Sequence, residues 1–162
     1  MTSTVHRWLA AALLFFATHA VALPEVDQPA PPLRGTLLSG DRFDLADYRG
    51  KVVLLNFFSS FCKHCAYEIG SLEAFRDDHR DKGFEVLVIG VDRPEHKARV
   101  ARMLGTYNLP GAMADDLEET GFERSYPTPT AFVIDRDGVL RSRTWGAKTL
   151  PRLRDLLGPY LQ

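Results

Sequence analysis

Only two cysteines occur in the 162 residues, and they stand together as Cys62-Lys63-His64-Cys65. With no other thiol, the chain lacks the second pair that a four-ligand zinc site normally needs. A disulfide closing so short a loop constrains the unfolded chain little, so a structural staple explains the pair poorly. Attachment of c-type haem needs a His directly after the second Cys, and Ala66 stands there. An excess of one charge is missing too: 20 basic against 21 acidic side chains leave −1, which offers no basic field to nucleic acid. No internal repeat appears. The longest apolar run, Trp8 to Leu23 behind Arg7, spans roughly 15 residues, short for a membrane helix of about 20. It has the length of a secretory core segment, and Ala20-Val21-Ala22 closes it with a small-x-small cleavage pattern.

What is present starts from that segment. Residues 1–22 read as a signal peptide, with an uncleaved membrane anchor as the alternative; His19 and Pro24 speak against the anchor, and no nearby cysteine could carry a lipid. Export implies an oxidising compartment, periplasmic or equivalent, in which disulfides persist. Residues 23–34, with Pro24, Pro29, Pro31 and Pro32, read as an extended linker. Residues 35–162 are long and apolar enough for one domain with one sizeable core.

Within it, Leu37 to Leu45 alternates around Ser39-Gly40-Asp41 and predicts a β-hairpin. Val52 to Phe58 is apolar on both faces, as a central strand of a covered sheet should be. From Cys62 the period becomes helical through Cys65, Ile69, Leu72 and Phe75, until Gly83 ends it; Gly70 inside marks a bend or a close contact. Phe84 to Val91 predicts a second buried strand, and Pro94 opens a helix to Tyr107. Strand, helix, strand, helix implies parallel pairing. Leu109-Pro110-Gly111 breaks the chain, and Asp115 to Phe122 is expected to form one or two helical turns. Thr130 to Ile134, a turn at Asp135 to Gly138, and Val139 to Thr144 predict an antiparallel pair. Leu150 to Leu161 closes the domain as an amphipathic helix with Leu153, Leu156, Leu157 and Tyr160 on one face. His79 and His96 are expected to be solvated, Met103 and Met113 to fill core, and Trp145 to pack.

The site itself is a strand-to-helix turn. It puts Cys62 at a helix N-terminus, where free N–H groups and the helix dipole favour the thiolate. In its whole order, βαβ followed by ββα with Cys-x-x-Cys at the first turn, the chain resembles the thioredoxin fold. More narrowly, it is similar to the exported TlpA/ResA/DsbE-like branch of thiol-disulfide oxidoreductases. The stretches that carry the resemblance are Gly50 to Phe57, Cys62 to Glu68, Val88 to Asp92 and Pro129 to Gly138. The resemblance implies an α/β domain with a central mixed sheet flanked by helices and an N-terminal β-hairpin extension. It implies Cys62 as attacking sulfur, Cys65 as resolving thiol, and a redox-active disulfide with no further cofactor and no metal. Pro129 aligns with the family's cis-proline, with Pro127 as the competing position, and Thr128 before it would offer backbone groups to a substrate. Glu68 matches an acidic residue of this branch that could exchange a proton with Cys65; the alternative is a solvated glutamate near a helix start. Asn56 stands where cytoplasmic thioredoxins carry a buried Asp.

Departures from the pattern carry information as well. Phe61 replaces the usual tryptophan before the first Cys, keeping an apolar contact surface without the indole N–H. Lys63 and His64 replace a Pro-containing dipeptide, and a His at that position resembles the oxidase DsbA. Positive charge beside Cys62 favours the reduced form and so makes a stronger oxidant. The framework therefore points to a reductant, possessed of a dipeptide that points to oxidation. The partners implied are protein thiols and disulfides, with a membrane-bound electron donor or acceptor, a membrane tether if the N-terminal segment stays, and no nucleic acid. One task found in the branch is keeping apocytochrome c cysteines reduced before haem attachment. Two other functions compete. A peroxiredoxin-like peroxidase would need Pro-x-x-x-Thr-x-x-Cys, where this chain has Leu55 and Ser59. A Cu(I)-delivery module would use the Cys pair as soft ligands and normally adds a His or Met.

Overall fold

Seven consecutive buried residues, Val52 to Phe58, form the strand on which the domain is built. The computed structural model describes residues 24–123 and 126–162, so residues 1–22, read above as a signal peptide, lie outside the described residues. In chain order the elements are β1 (Leu33–Thr36), β2 (Arg42–Asp44), β3 (Val52–Phe58), α1 (Lys63–His79), β4 (Phe84–Gly90), α2 (Lys97–Thr106), β5 (Gly111–Met113), β6 (Leu117–Thr120), β7 (Thr130–Ile134), β8 (Leu140–Trp145) and α3 (Leu150–Leu157). The larger sheet runs β5-β4-β3-β7-β8. Its β3, β4 and β5 are parallel, while β7 and β8 pair antiparallel.

Successive side chains of β3 point to opposite faces, so a strand apolar at every position but Asn56 feeds two cores. Val52, Leu54 and Phe58 meet Ile69, Leu72 and Phe75 of α1, Val100 and Leu104 of α2, and Leu153 and Leu157 of α3. Val53, Leu55 and Phe57 meet Leu87, Ile89, Phe122, Tyr126 and Phe132, together with Leu33, Phe43 and Leu117 of a second sheet. The expected strands, the parallel crossover and the closing helix are thus present. Gly83 ends the first helical stretch at φ 73 after one 3₁₀ turn. Gly70 does not interrupt α1, which continues to His79, and a methyl there would lie 3.5 Å from the Tyr107 ring.

Asp115 to Phe122 departs from expectation. One 3₁₀ turn, Ala114–Asp116, is followed by strand β6, which joins the hairpin as β2-β1-β6. The acidic residues there serve pairing across strands, Glu118 with Arg42 at 2.5 Å and Glu119 with Arg34 at 3.0 Å, while Leu117 enters the core. Gly111 opens β5, a strand the break had hidden; a Cβ there would come within 2.7 Å of the Val88 carbonyl oxygen. The stretch read as a linker lies along the domain. Asp27 N–H donates to Leu140 O, Leu140 N–H to Gln28 O and Ala30 N–H to Gly138 O, and β1 begins at Leu33. Among the described residues no helix is long and apolar enough to cross a membrane.

Candidate active site

Strand β3 ends at Phe58, and the chain turns through Ser59 to Phe61 before α1 starts. Asp92, just beyond β4, holds that turn: its buried carboxylate accepts the Ser60 N–H at 3.0 Å, the Ser60 hydroxyl at 2.6 Å and the Ser59 hydroxyl at 3.4 Å. The turn delivers Cys62 as the N-cap of α1, where its sulfur accepts the Cys65 N–H at 3.1 Å. Cys62 and Cys65 form a disulfide. Cys62 is half-buried, whereas Cys65 is fully buried in the helix-side core.

The loop before β7 closes over the pair. The Thr128–Pro129 peptide is cis, which settles the competition with Pro127, and the Thr128 carbonyl oxygen lies 3.7 Å from Cys62 Sγ. Pro129 is buried, and its carbonyl accepts the Gly146 N–H at 2.9 Å, fastening the loop to the end of β8. Phe61 is 60% exposed beside Cys62. Lys63 and His64 are exposed on the first turn of α1 and make no hydrogen bond or ion pair among the described residues.

Glu68 lies under the pair rather than in solvent. Three residues after Cys65 it shares that helix face, and its carboxylate is wholly buried. Oε1 meets Lys148 Nζ at 3.1 Å and accepts the Lys148 N–H at 3.2 Å, while Oε2 accepts from Asn56 Nδ2 at 3.4 Å. Burial pushes the Glu68 carboxyl above its ordinary value, opposed by the charge and hydrogen bonds of Lys148 and by Asn56. Burial pushes the Lys148 ammonium below its ordinary value, opposed by Glu68. The solvated alternative for Glu68 is therefore excluded.

Several neighbours carried no sequence signal. Arg99 stacks its guanidinium 4.7 Å from the Phe61 ring centre and donates to the Ser60 carbonyl at 3.2 Å, so it fixes Phe61 from α2. His96, expected in solvent, packs edge-on against Phe61 at 4.8 Å and is half-buried. His79 likewise stacks on Phe75 at 4.1 Å, with Nδ1 2.9 Å from the Phe75 carbonyl oxygen. Trp145, expected to pack, is 68% exposed at the end of β8, in register with Thr130 next to the cis-proline. Met113 is core, and Met103 packs against it. The two positions at which a peroxidase would need Pro and Thr are filled by Leu55, buried in β3, and Ser59, bonded to Asp92. Among the described residues no cluster of three or more His, Cys, Asp or Glu side chains is placed to hold a metal.

Chemically, the arrangement offers one approachable sulfur with a backbone acceptor beside it, and a second sulfur out of solvent over a buried carboxylate. A sequence model described as the AhpC/TSA family matches residues 26–143. The thiol-disulfide oxidoreductase ResA of Bacillus thuringiensis subsp. konkukian (strain 97-27) is 31% identical over 138 residues, covering 82% of this chain and 77% of that protein. The thioredoxin-like protein YneN of Bacillus subtilis (strain 168) is 29% identical over 133 residues, covering 80% of this chain and 77% of its own. The solved structure of a thiol:disulfide interchange protein of the thioredoxin family from Chlorobium tepidum TLS superposes with a TM-score of 0.72 at 24% identity, covering 85% of this chain and 99% of that one. That likeness shows the thioredoxin-like fold.

Proposed function

We propose that this chain, which belongs to the AhpC/TSA family and is a thiol-disulfide oxidoreductase of the ResA type, works outside the cytoplasm and exchanges disulfides with proteins through Cys62. The observation that carries this reading is the asymmetry of the pair, Cys62 half-exposed 3.7 Å from the Thr128 carbonyl and Cys65 buried. A substrate disulfide reaches Cys62 first. In the reducing direction the Cys62 thiolate attacks one sulfur of the partner, the partner's S–S bond breaks, and its other sulfur leaves as a thiolate. Cys65 then attacks Cys62, expelling the reduced partner and leaving the Cys62–Cys65 disulfide. Phe61, Thr128 and Pro129 form the contact surface around the attacking sulfur, and Glu68 exchanges the proton of Cys65. A membrane-bound partner returns the electrons, and cysteines of apocytochrome c are the substrate class that the ResA likeness favours. Export rests on the signal-like segment 1–22.

Cys65→Ser should trap these partners, because the first attack proceeds and resolution does not. Expressed in its own cell, the variant is expected to accumulate Cys62-linked adducts that mass spectrometry identifies. Apocytochromes among them support the maturation role; a set of unrelated exported proteins assigns general disulfide chemistry instead; no adduct at all rejects the proposal.

The direction of electron flow turns on Lys63 and His64. Both are exposed at the helix start beside Cys62, and positive charge there stabilises the thiolate and with it the reduced form. Replacing the two by Pro-Pro is expected to make the pair more reducing by about 30 mV, tenfold in the exchange constant with glutathione. A glutathione titration showing an unchanged or raised potential would reject this tuning role.

A further inference from the structure

Lys148 lies on the connection between β8 and α3, outside every stretch that carries the family resemblance, yet its side chain is 0% exposed. A buried ammonium is costly unless it is paired and hydrogen-bonded. Here it is both: Nζ lies 3.1 Å from Glu68 Oε1 and donates to the Gly146 carbonyl at 2.8 Å, while the Lys148 N–H donates to the same Glu68 oxygen. Gly146 in turn donates to the carbonyl of Pro129. Lys148 thus joins the loop beside the attacking sulfur to the helix that carries both cysteines. The ionisable groups around it are few. Helix α1 brings Glu68 and α3 brings Arg152, whose charge disfavours a second cation, while the uncharged Asn56 of β3 bonds the other Glu68 oxygen.

We infer that Lys148 is a positioning residue for the proton step of disulfide exchange: its ammonium holds buried Glu68 within reach of ionisation, so that Glu68 takes the proton of Cys65 when the mixed disulfide is resolved. This rests on the oxidoreductase reading and on Glu68 as the acceptor. Before the step the pocket holds a Cys65 thiol, a Glu68 carboxylate and a Lys148 ammonium. Afterwards it holds a thiolate, a carboxylic acid and the same ammonium, so its net charge stays at zero. The Cys65 thiolate attacks Cys62 Sγ, the bond from Cys62 to the partner's sulfur breaks, and the partner leaves as a thiolate that takes a proton from water. Over both exchanges two electrons pass from the cysteine pair to the partner's disulfide. Without the Lys148 ammonium, burial acts on Glu68 opposed only by the hydrogen bonds from Asn56 and from the backbone N–H of residue 148, the carboxyl keeps its own proton, and it cannot accept another.

The test follows the lifetime of the mixed disulfide formed when the reduced full-length protein meets glutathione disulfide, by acid quench and mass spectrometry across pH. Lys148→Met is expected to leave formation of the adduct intact and to slow its resolution at least about tenfold near pH 7, with the rate recovering as pH rises and Glu68 ionises. Lys148→Arg, which keeps the charge, should restore most of the rate. In a Glu68→Gln background, Lys148→Met should add no further slowing. Should Lys148→Met alone fold poorly, the comparison of Glu68→Gln with Glu68→Gln/Lys148→Met, which has neither buried charge, carries the test. An unchanged pH profile in Lys148→Met, or equal slowing with and without Glu68, overturns the inference. Wild-type resolution in Glu68→Gln overturns the acceptor role of Glu68 itself, and failure to form any adduct in the wild type overturns the oxidoreductase reading.

Discussion

Cys62→Ser is expected to lower turnover in insulin disulfide reduction at least about a thousandfold, with the fold intact. The loss is chemical because serine keeps what Cys62 does for the structure. The sulfur accepts the Cys65 N–H as N-cap of α1, and serine is among the residues best suited to that position. The disulfide between Cys62 and Cys65 spans a sequence separation of 3, so removing it releases little unfolded-state entropy. A hydroxyl, however, is not ionised near neutral pH and does not carry out thiol–disulfide exchange. Cys65 cannot substitute, because it is buried among Ile69, Leu72 and the other side chains of that core. Unchanged urea unfolding beside lost activity is the expected pair of results. Retention of more than a small fraction of the turnover would sink the assignment of Cys62 as the attacking sulfur.

What could be read from the sequence was whatever local pattern decides. Val52 to Phe58 is apolar at every position but Asn56, and only a strand covered on both faces accounts for that. The Cys-x-x-Cys turn and the proline before Thr130 were likewise visible, and the structure brings the carbonyl of Thr128, the residue ahead of that proline, 3.7 Å from Cys62 Sγ across 66 positions of chain. What escaped depends on partners distant in sequence. Leu117 to Thr120 falls in an acidic stretch that reads as one or two helical turns, yet it pairs with β1 as strand β6, with Leu117 buried and Glu119 and Glu118 meeting Arg34 and Arg42 of the hairpin. Lys148 belongs to no motif; in the fold it is buried against a glutamate 80 residues earlier. Trp145 reads as core by composition, but β8 is the edge strand of its sheet, and its end is left in the open beside the cis-proline. Arg99 and His96 come from a helix with no motif, and only the packing of α2 beside the turn brings them to Phe61.

The buried pair also predicts losses of stability whose pH dependence differs in sign for its two members. Glu68→Leu is expected to destabilise the domain by about 3–5 kcal/mol, because it leaves Lys148 buried without its counter-charge. Lys148→Met should cost a similar amount for the mirror reason. The double variant Glu68→Leu/Lys148→Met should recover most of the loss, since replacing a buried ion pair together by apolar side chains of similar volume is often neutral. The pH dependence tells the two single variants apart. With Glu68 gone, burial, helped by the charge of Arg152, holds the folded-state value of Lys148 below the ordinary lysine range. The folded variant then binds fewer protons than the unfolded chain, so its stability rises with pH towards that range. With Lys148 gone, burial holds Glu68 above the ordinary carboxylate value. That contribution is fully present below the unfolded value and is lost as pH rises through the folded one, so this variant is most stable in acid. Urea unfolding of both single variants and the double across pH measures all three curves. Parallel slopes in the two single variants, or a double variant no better than either, would show that the pair is not coupled as its geometry requires.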